Sequence, residues 1–110
     1  MTPFIQVVTT VEKKKEAERI SNALVTAHLA ACVQVSKCKS IYNWRGEVQN
    51  SQEWVLTIKS SQALFTELCR TIEDLHTYEV PEIIAVPILF GSEKYLCWLK
   101  EELKEAEDVD

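Results

Sequence analysis

The sequence predicts an α+β domain of the ferredoxin-like, split βαβ type, with one antiparallel sheet, helices on one of its faces and an extra helix at the end. Three observations predict it. Apolar residues alternate in some segments and recur at helical spacing in others, in the order β-α-β-β-α-β followed by a helix. Only two glycines and three prolines occur, so connections are short and no linker interrupts the chain. The 110 residues, 46% hydrophobic and 26% charged, suit a single core, read as one domain over 1–110.

Each element follows from its own residues. Phe4 to Thr10 is β-branched and reads as the first strand. A helix over about 11–28 places Ala17, Ile20, Leu24 and Ala27 on one stripe, with Thr10 as its N-cap and Glu12 in its first turn. From Ala31 to Ser60 the pattern is β. ACVQVS and SIYNW form one long strand, and Gly46 in Arg45-Gly46-Glu47 supplies the positive φ of a hairpin turn. The returning strand puts Trp54, Leu56 and Ile58 on one face and Glu53, Val55, Thr57 and Lys59 on the other. A second helix near 61–75 aligns Leu64, Leu68, Ile72 and Leu75. EIIAVPILF is the last strand, and Gly91-Ser92 caps a third helix with Tyr95, Leu96, Leu99 and Leu103 as its apolar positions. The acidic tail from Glu105 is expected to fray.

One feature of this pattern does not fit a lone subunit. Ile83, Ala85 and Pro87 alternate with Ile84, Val86 and Ile88, so both faces of the last strand are apolar, whereas two helices cover only one. An open apolar sheet face points to self-association.

Composition narrows the partners. Twelve basic and 17 acidic residues give a formal charge of -5, a sign that repels phosphate backbones, so no nucleic-acid partner is expected. No run is long enough to span a membrane. Basic residues follow the first apolar run, the reverse of a signal peptide, so a cytoplasmic location is expected. Cys32, Cys38, Cys69 and Cys97 lack Cys-x-x-Cys or zinc spacing and read as free thiols.

Several segments resemble, in order and from about Phe4 to Leu103, the CutA family of divalent-cation-tolerance proteins. They are ACV at 31–33, SIYNWRGE at 40–47, IKS at 58–60, HTYEVPEIIAVPI at 76–88 and GSEKYLCWL at 91–99. The resemblance implies a ferredoxin-like subunit in a tight homotrimer, similar in architecture to PII-type signal proteins. It also implies a cytoplasmic protein linked to copper and other divalent cations, with no agreed catalytic activity. Three departures stand out. Thr77 replaces a proline between His76 and Tyr78, Thr9 stands where some members carry a cysteine, and Leu75 precedes His76 where some carry a second histidine. One histidine without a soft sulfur ligand implies weak copper binding.

The candidate metal ligands are therefore His76, Glu79 and Glu82, for copper(II) or another divalent cation as the tentative cofactor. His76 closes the second helix, where an imidazole also suits a helix C-terminus, and Pro81 holds Val80 extended so that the helix cannot continue. His28 reads as the cap of the first helix. Tyr42, Trp44, Glu53, Lys59 and Tyr78 are expected in an intersubunit cleft or interface, with Glu53 and Lys59 as ion-pair partners there and Trp54 in the core. An enzyme using His76 with Glu79 or Glu82 is the first rival. No activated nucleophile or phosphate loop accompanies these residues, and TTVEKKK lacks the arginine that an acylphosphatase loop requires, so no enzyme is expected. A scaffold or small-ligand sensor acting through a protein partner, as PII-type proteins do, is the second rival.

Overall fold

The computed structural model describes residues 2–106, and the acidic tail beyond Ala106 lies outside them. The elements are β1 (Phe4–Val11), α1 (Lys14–Thr26), β2 (Cys32–Trp44), β3 (Glu47–Ser61), a 3-10 turn (Gln62–Leu64), α2 (Phe65–Leu75), β4 (Ile83–Pro87) and α3 (Glu93–Glu102). The strands form one sheet in the order β2-β3-β1-β4, every neighbouring pair antiparallel. The α+β, split βαβ architecture expected from the sequence is the one observed.

The core lies between the sheet and its helices. Val7 faces Ile58 across the β1–β3 ladder, and Val33 faces Ile58 from the other side. Ala17, Ile20 and Leu24 of α1, with Leu68 and Ile72 of α2, close over them and are fully buried. Truncating one of these leucines or isoleucines to alanine costs about 2–5 kcal/mol. Polar bonds fix how the layers join. The Ser60 hydroxyl donates to the Leu29 carbonyl at 2.6 Å, and Arg19 Nη2 donates to the Leu75 carbonyl at 2.8 Å, satisfying the end of α2 from α1.

Several boundaries differ from those expected. The first helix begins at Lys14 because Thr10 and Val11 continue the strand opposite Val55 and Trp54, and Val11 is fully buried. Thr10 is therefore not the N-cap; Lys13 holds that place without a side-chain bond. At the other end His28 takes φ 57, in the left-handed region where helices stop. Its Nδ1 donates to the Glu102 carbonyl at 3.0 Å, and its own carbonyl accepts from Lys104 at 2.9 Å, so this residue also anchors the end of α3. The last strand stops at Pro87, opposite Ile5 on the sheet's edge, where a proline removes no ladder bond. In α3, Ser92 Oγ accepts from the Tyr95 amide at 3.3 Å, the cap that was expected, and Leu99 is buried. Tyr95 is exposed instead, stacked on Trp98 at 5.6 Å.

Two features place the functional face. The β1–β3 ladder begins at Trp54, so the hairpin from Cys38 to Glu53 pairs only with itself and extends past the end of β1. This arm raises the radius of gyration to 14.7 Å, against about 13 Å for a compact chain of this length. Its tip turns through Arg45 at φ 51 and Gly46 at φ 82, the double positive φ of a type I′ turn. The helix-free face carries Val8, Thr10, Glu53, Val55 and Lys59, continued by Ile84 and Val86 of β4.

Thr9 points the other way, into the core opposite Leu56 and Ile83, and its buried hydroxyl has no hydrogen-bond partner among the described residues. Thr9→Val is expected to be neutral or to stabilise by up to about 1 kcal/mol, because it removes an unsatisfied buried hydroxyl. Urea denaturation checks this, and a loss above about 1 kcal/mol would mean that the hydroxyl is bonded.

Candidate functional site

Where β1 runs out, the connection from His76 to Glu82 crosses the helix-free side and faces the hairpin arm. Between them lies an open cleft of about 650 Å3. Its walls include Tyr42, Trp44, Glu53, Tyr78, Glu79 and Glu82, six of the eight residues singled out in the sequence. His76 and Lys59 are not among them.

His76 holds the connection in place. α2 ends as the His76 amide donates to the Ile72 carbonyl at 2.8 Å, after which the backbone turns extended. The ring spans two backbone groups. Nε2 lies 2.8 Å from the Thr10 carbonyl, which only accepts, so Nε2 carries the proton. Nδ1 accepts from the Tyr78 amide at 3.0 Å, so it carries none. The imidazole is therefore neutral with both nitrogens engaged, and its ring lies 4.9 Å from that of Tyr78. Thr77 adds a second tie by donating to Glu16 Oε2 of α1 at 2.7 Å. The position lacking the family's proline thus gains a side-chain anchor.

The fixed loop delivers Tyr78, whose hydroxyl donates to Glu53 Oε2 at 2.7 Å. Glu53 is only 6% exposed although it faces the helix-free side. Burial, then the hydrogen bond to Glu53 and the charges of Glu53 and Glu12, push the Tyr78 phenol well above its ordinary value. Tyr42 spans the hairpin by approaching Ser51 Oγ at 3.3 Å. At the tip the Arg45 guanidinium lies 5.4 Å from the Trp44 ring and 3.8 Å from Glu79 Oε2, an exposed pair worth little energetically.

The expected ligand set of His76, Glu79 and Glu82 is not assembled within the subunit. The His76 lone pair that would meet a metal is taken by the Tyr78 amide, and Glu79 turns toward Arg45. Among the described residues no three His, Cys, Asp or Glu side chains converge as a metal site would require. Position 9 could not complete one, since its side chain is on the opposite face of the sheet from the cleft. Glu53 and Lys59 do not pair within the chain either. They are six residues apart on β3, roughly 20 Å, and Lys59 Nζ instead donates to Gln34 at 2.9 Å. Trp54 is partly buried against the core, as expected, with Lys14 and Lys37 within 6 Å of its ring. Sequence reasoning missed the roles of Thr10 and Arg45. A carbonyl carries no sequence signal, but arginine beside glycine in a two-residue turn could have flagged the second.

Comparison with known proteins agrees with this architecture. Residues 5–102 match the family model described as CutA1 divalent ion tolerance protein. The divalent-cation tolerance protein CutA of Thermus thermophilus is 45% identical over 96 residues, covering 86% of this chain and 93% of that protein. The chloroplastic protein CutA of Arabidopsis thaliana is 42% identical over 103 residues, covering 93% of this chain and 57% of its own length. The chain thus spans under three fifths of that plant relative. The crystal structure of CutA1 from Oryza sativa superposes with a TM-score of 0.92 at 39% identity, covering 96% of this chain and 97% of that one.

The Tyr78–Glu53 bond sets a pH dependence. A phenol with a raised folded pKa contributes stability that is intact below its unfolded value, about 10, and lost as pH rises beyond it. Tyr78→Phe is expected to lose about 1–2 kcal/mol at pH 7 and to show a smaller decline than the parent above about pH 10. Denaturation at pH 7, 9 and 10.5 checks both parts, and parallel curves across that range would contradict the assignment.

Proposed function

The chain belongs to the CutA1 divalent ion tolerance protein family, and from that premise we propose that it works as a homotrimer in the response to divalent cations, by binding and assembly rather than by catalysis. The carrying observation is the unfinished helix-free face. Ile84 and Val86 of β4 are exposed, and so are Leu89 and Phe90 just beyond it, Phe90 at 87%. Ile41, Tyr42, Trp44 and Val48 are exposed on an arm that a two-stranded ribbon cannot stabilise alone. The subunit presents 7462 Å2 to solvent, against roughly 6,200 Å2 for a self-contained chain of this mass. Association that covers β4 and seats the arm removes that excess. It also offers Lys59 of one copy as a partner for Glu53 of another, at an interface where the pair sets register.

A binding role agrees with the state of His76. A ring whose two nitrogens both hold backbone groups has no free site for general acid–base work. Divalent ions, copper(II) included, are proposed to bind weakly at the exposed carboxylates Glu79 and Glu82, without His76. The protein is proposed to act in the cytoplasm with all four thiols reduced.

Light scattering on a sizing column is expected to give three times the 12.6 kDa chain mass. Val86→Asp, which places a charge on the exposed strand, is expected to dissociate the assembly. A folded monomer of the parent at micromolar concentration would end this reading.

A further inference from the structure

We propose that a divalent cation, copper(II) foremost, binds where α1 and α3 end together, with Nε2 of His28 as its protein donor and water completing its shell. The site rests on the divalent-ion reading for its class of ligand alone and uses none of the residues assigned there.

Its first support is a tautomer. The chain has two histidines, and in His76 both ring nitrogens hold backbone groups. His28 is bonded differently. Its Nδ1 lies 3.0 Å from the Glu102 carbonyl, which only accepts, so Nδ1 carries the proton. The lone pair of the neutral ring is then on Nε2, which has no hydrogen-bond partner among the described residues. Metal-binding imidazoles take this form. A carbonyl on one nitrogen fixes the tautomer, holds the ring in place and makes the other nitrogen a better donor. The backbone of His28 is held as well, because its own carbonyl accepts from the Lys104 amide at 2.9 Å.

The second support is the local field. α1 ends at Thr26 with no basic residue in its last turn, and α3 ends at Glu102, whose carbonyl meets the His28 ring. Two helix C-termini thus bring the partial negative charge of their last carbonyls to one place, which favours a cation. Glu101, Glu102 and Glu105 outnumber the one basic residue in the last turn of α3, Lys100. The ammonium of Lys104 is already bound to Glu67 of α2 at 2.6 Å.

The ligand chemistry selects the ion. Among the described residues no three His, Cys, Asp or Glu side chains converge, so nothing builds the oxygen cage that calcium requires. A single imidazole favours copper(II) over the other divalent first-row metals. The junction lies in the helical layer, whereas association is assigned to the arm and β4, so the site and the assembly do not compete for the same elements.

The test uses the full chain in its native assembly. With zinc(II) as a diamagnetic probe, long-range 1H–15N NMR is expected to show a saturable shift of His28 Nε2 while Nδ1 keeps its proton. Calorimetry with copper(II) is expected to find affinity at least tenfold weaker in His28→Asn, a substitution that tolerates the left-handed φ of 57 at this position. The double variant Glu79→Gln, Glu82→Gln is expected to leave the His28 shift unchanged. If His28→Asn proves unstable, the spectrum of the parent decides alone. Absence of a His28 shift up to about 1 mM zinc(II) would overturn the proposal. So would a folded His28→Asn that binds copper(II) as tightly as the parent. If copper(II) binding then disappears in the double variant, the carboxylates hold the ion and the divalent-ion reading stands without His28.

Discussion

The geometry of the functional side rests on one imidazole. His76 stands where three elements meet, namely the end of α2, the end of β1 and the start of the connection to β4. By donating to Thr10 and accepting from Tyr78, it fixes the backbone of a segment that has no secondary structure of its own. A lysine could not do this, having only donors, and an asparagine is too short to span the same gap. With the ring in place, Tyr78 reaches Glu53 across the space beside β3, and the cleft acquires its inner wall. The same two bonds occupy both ring nitrogens, so neither is free within the subunit. A residue that looks like chemistry in the sequence is architecture in the fold.

A second constraint is the mismatch between strand lengths. β2 and β3 are 13 and 15 residues long, whereas β1 has 8 and β4 has 5. The surplus becomes an arm whose side chains have no partner layer in the subunit. Evolution tolerates an exposed apolar edge when another chain covers it, since an uncovered one invites uncontrolled pairing. The arm and the edge strand β4 thus pose the same packing problem at the two sides of the sheet, and one association can solve both. The cleft lies beside the arm and shares Tyr42 and Trp44 with it.

Much of this was legible in the sequence, and the reasons are local. Alternation gave the faces of β3 correctly because Leu56 and Ile58 are buried while Val55 and Thr57 are only partly so. The hairpin followed from Gly46, and the doubly apolar character of β4 is visible as the exposure of Ile84 and Val86. The start of α1 was misplaced because threonine serves equally well in a strand and at a cap, and only the pairing of Val11 with Trp54 decides between them. Tyr95 fits a helical apolar stripe, yet the stripe of α3 is wider than the surface it has to cover. For the site, the residue types sufficed to gather six cleft positions. They could not reveal that the His76 lone pair is spent on a backbone amide, because that bond is set by the path of the chain after α2.

His76 is a neutral, doubly bonded latch. Long-range 1H–15N NMR of the imidazole at neutral pH tests it most directly, since the two tautomers and the imidazolium give distinct nitrogen shifts. The structure predicts a protonated Nε2 and an unprotonated Nδ1 for His76, unchanged when copper(II) or zinc(II) is added at equimolar amount. A proton on Nδ1, or a metal-induced change centred on that nitrogen, would contradict it and return His76 to the list of ligands.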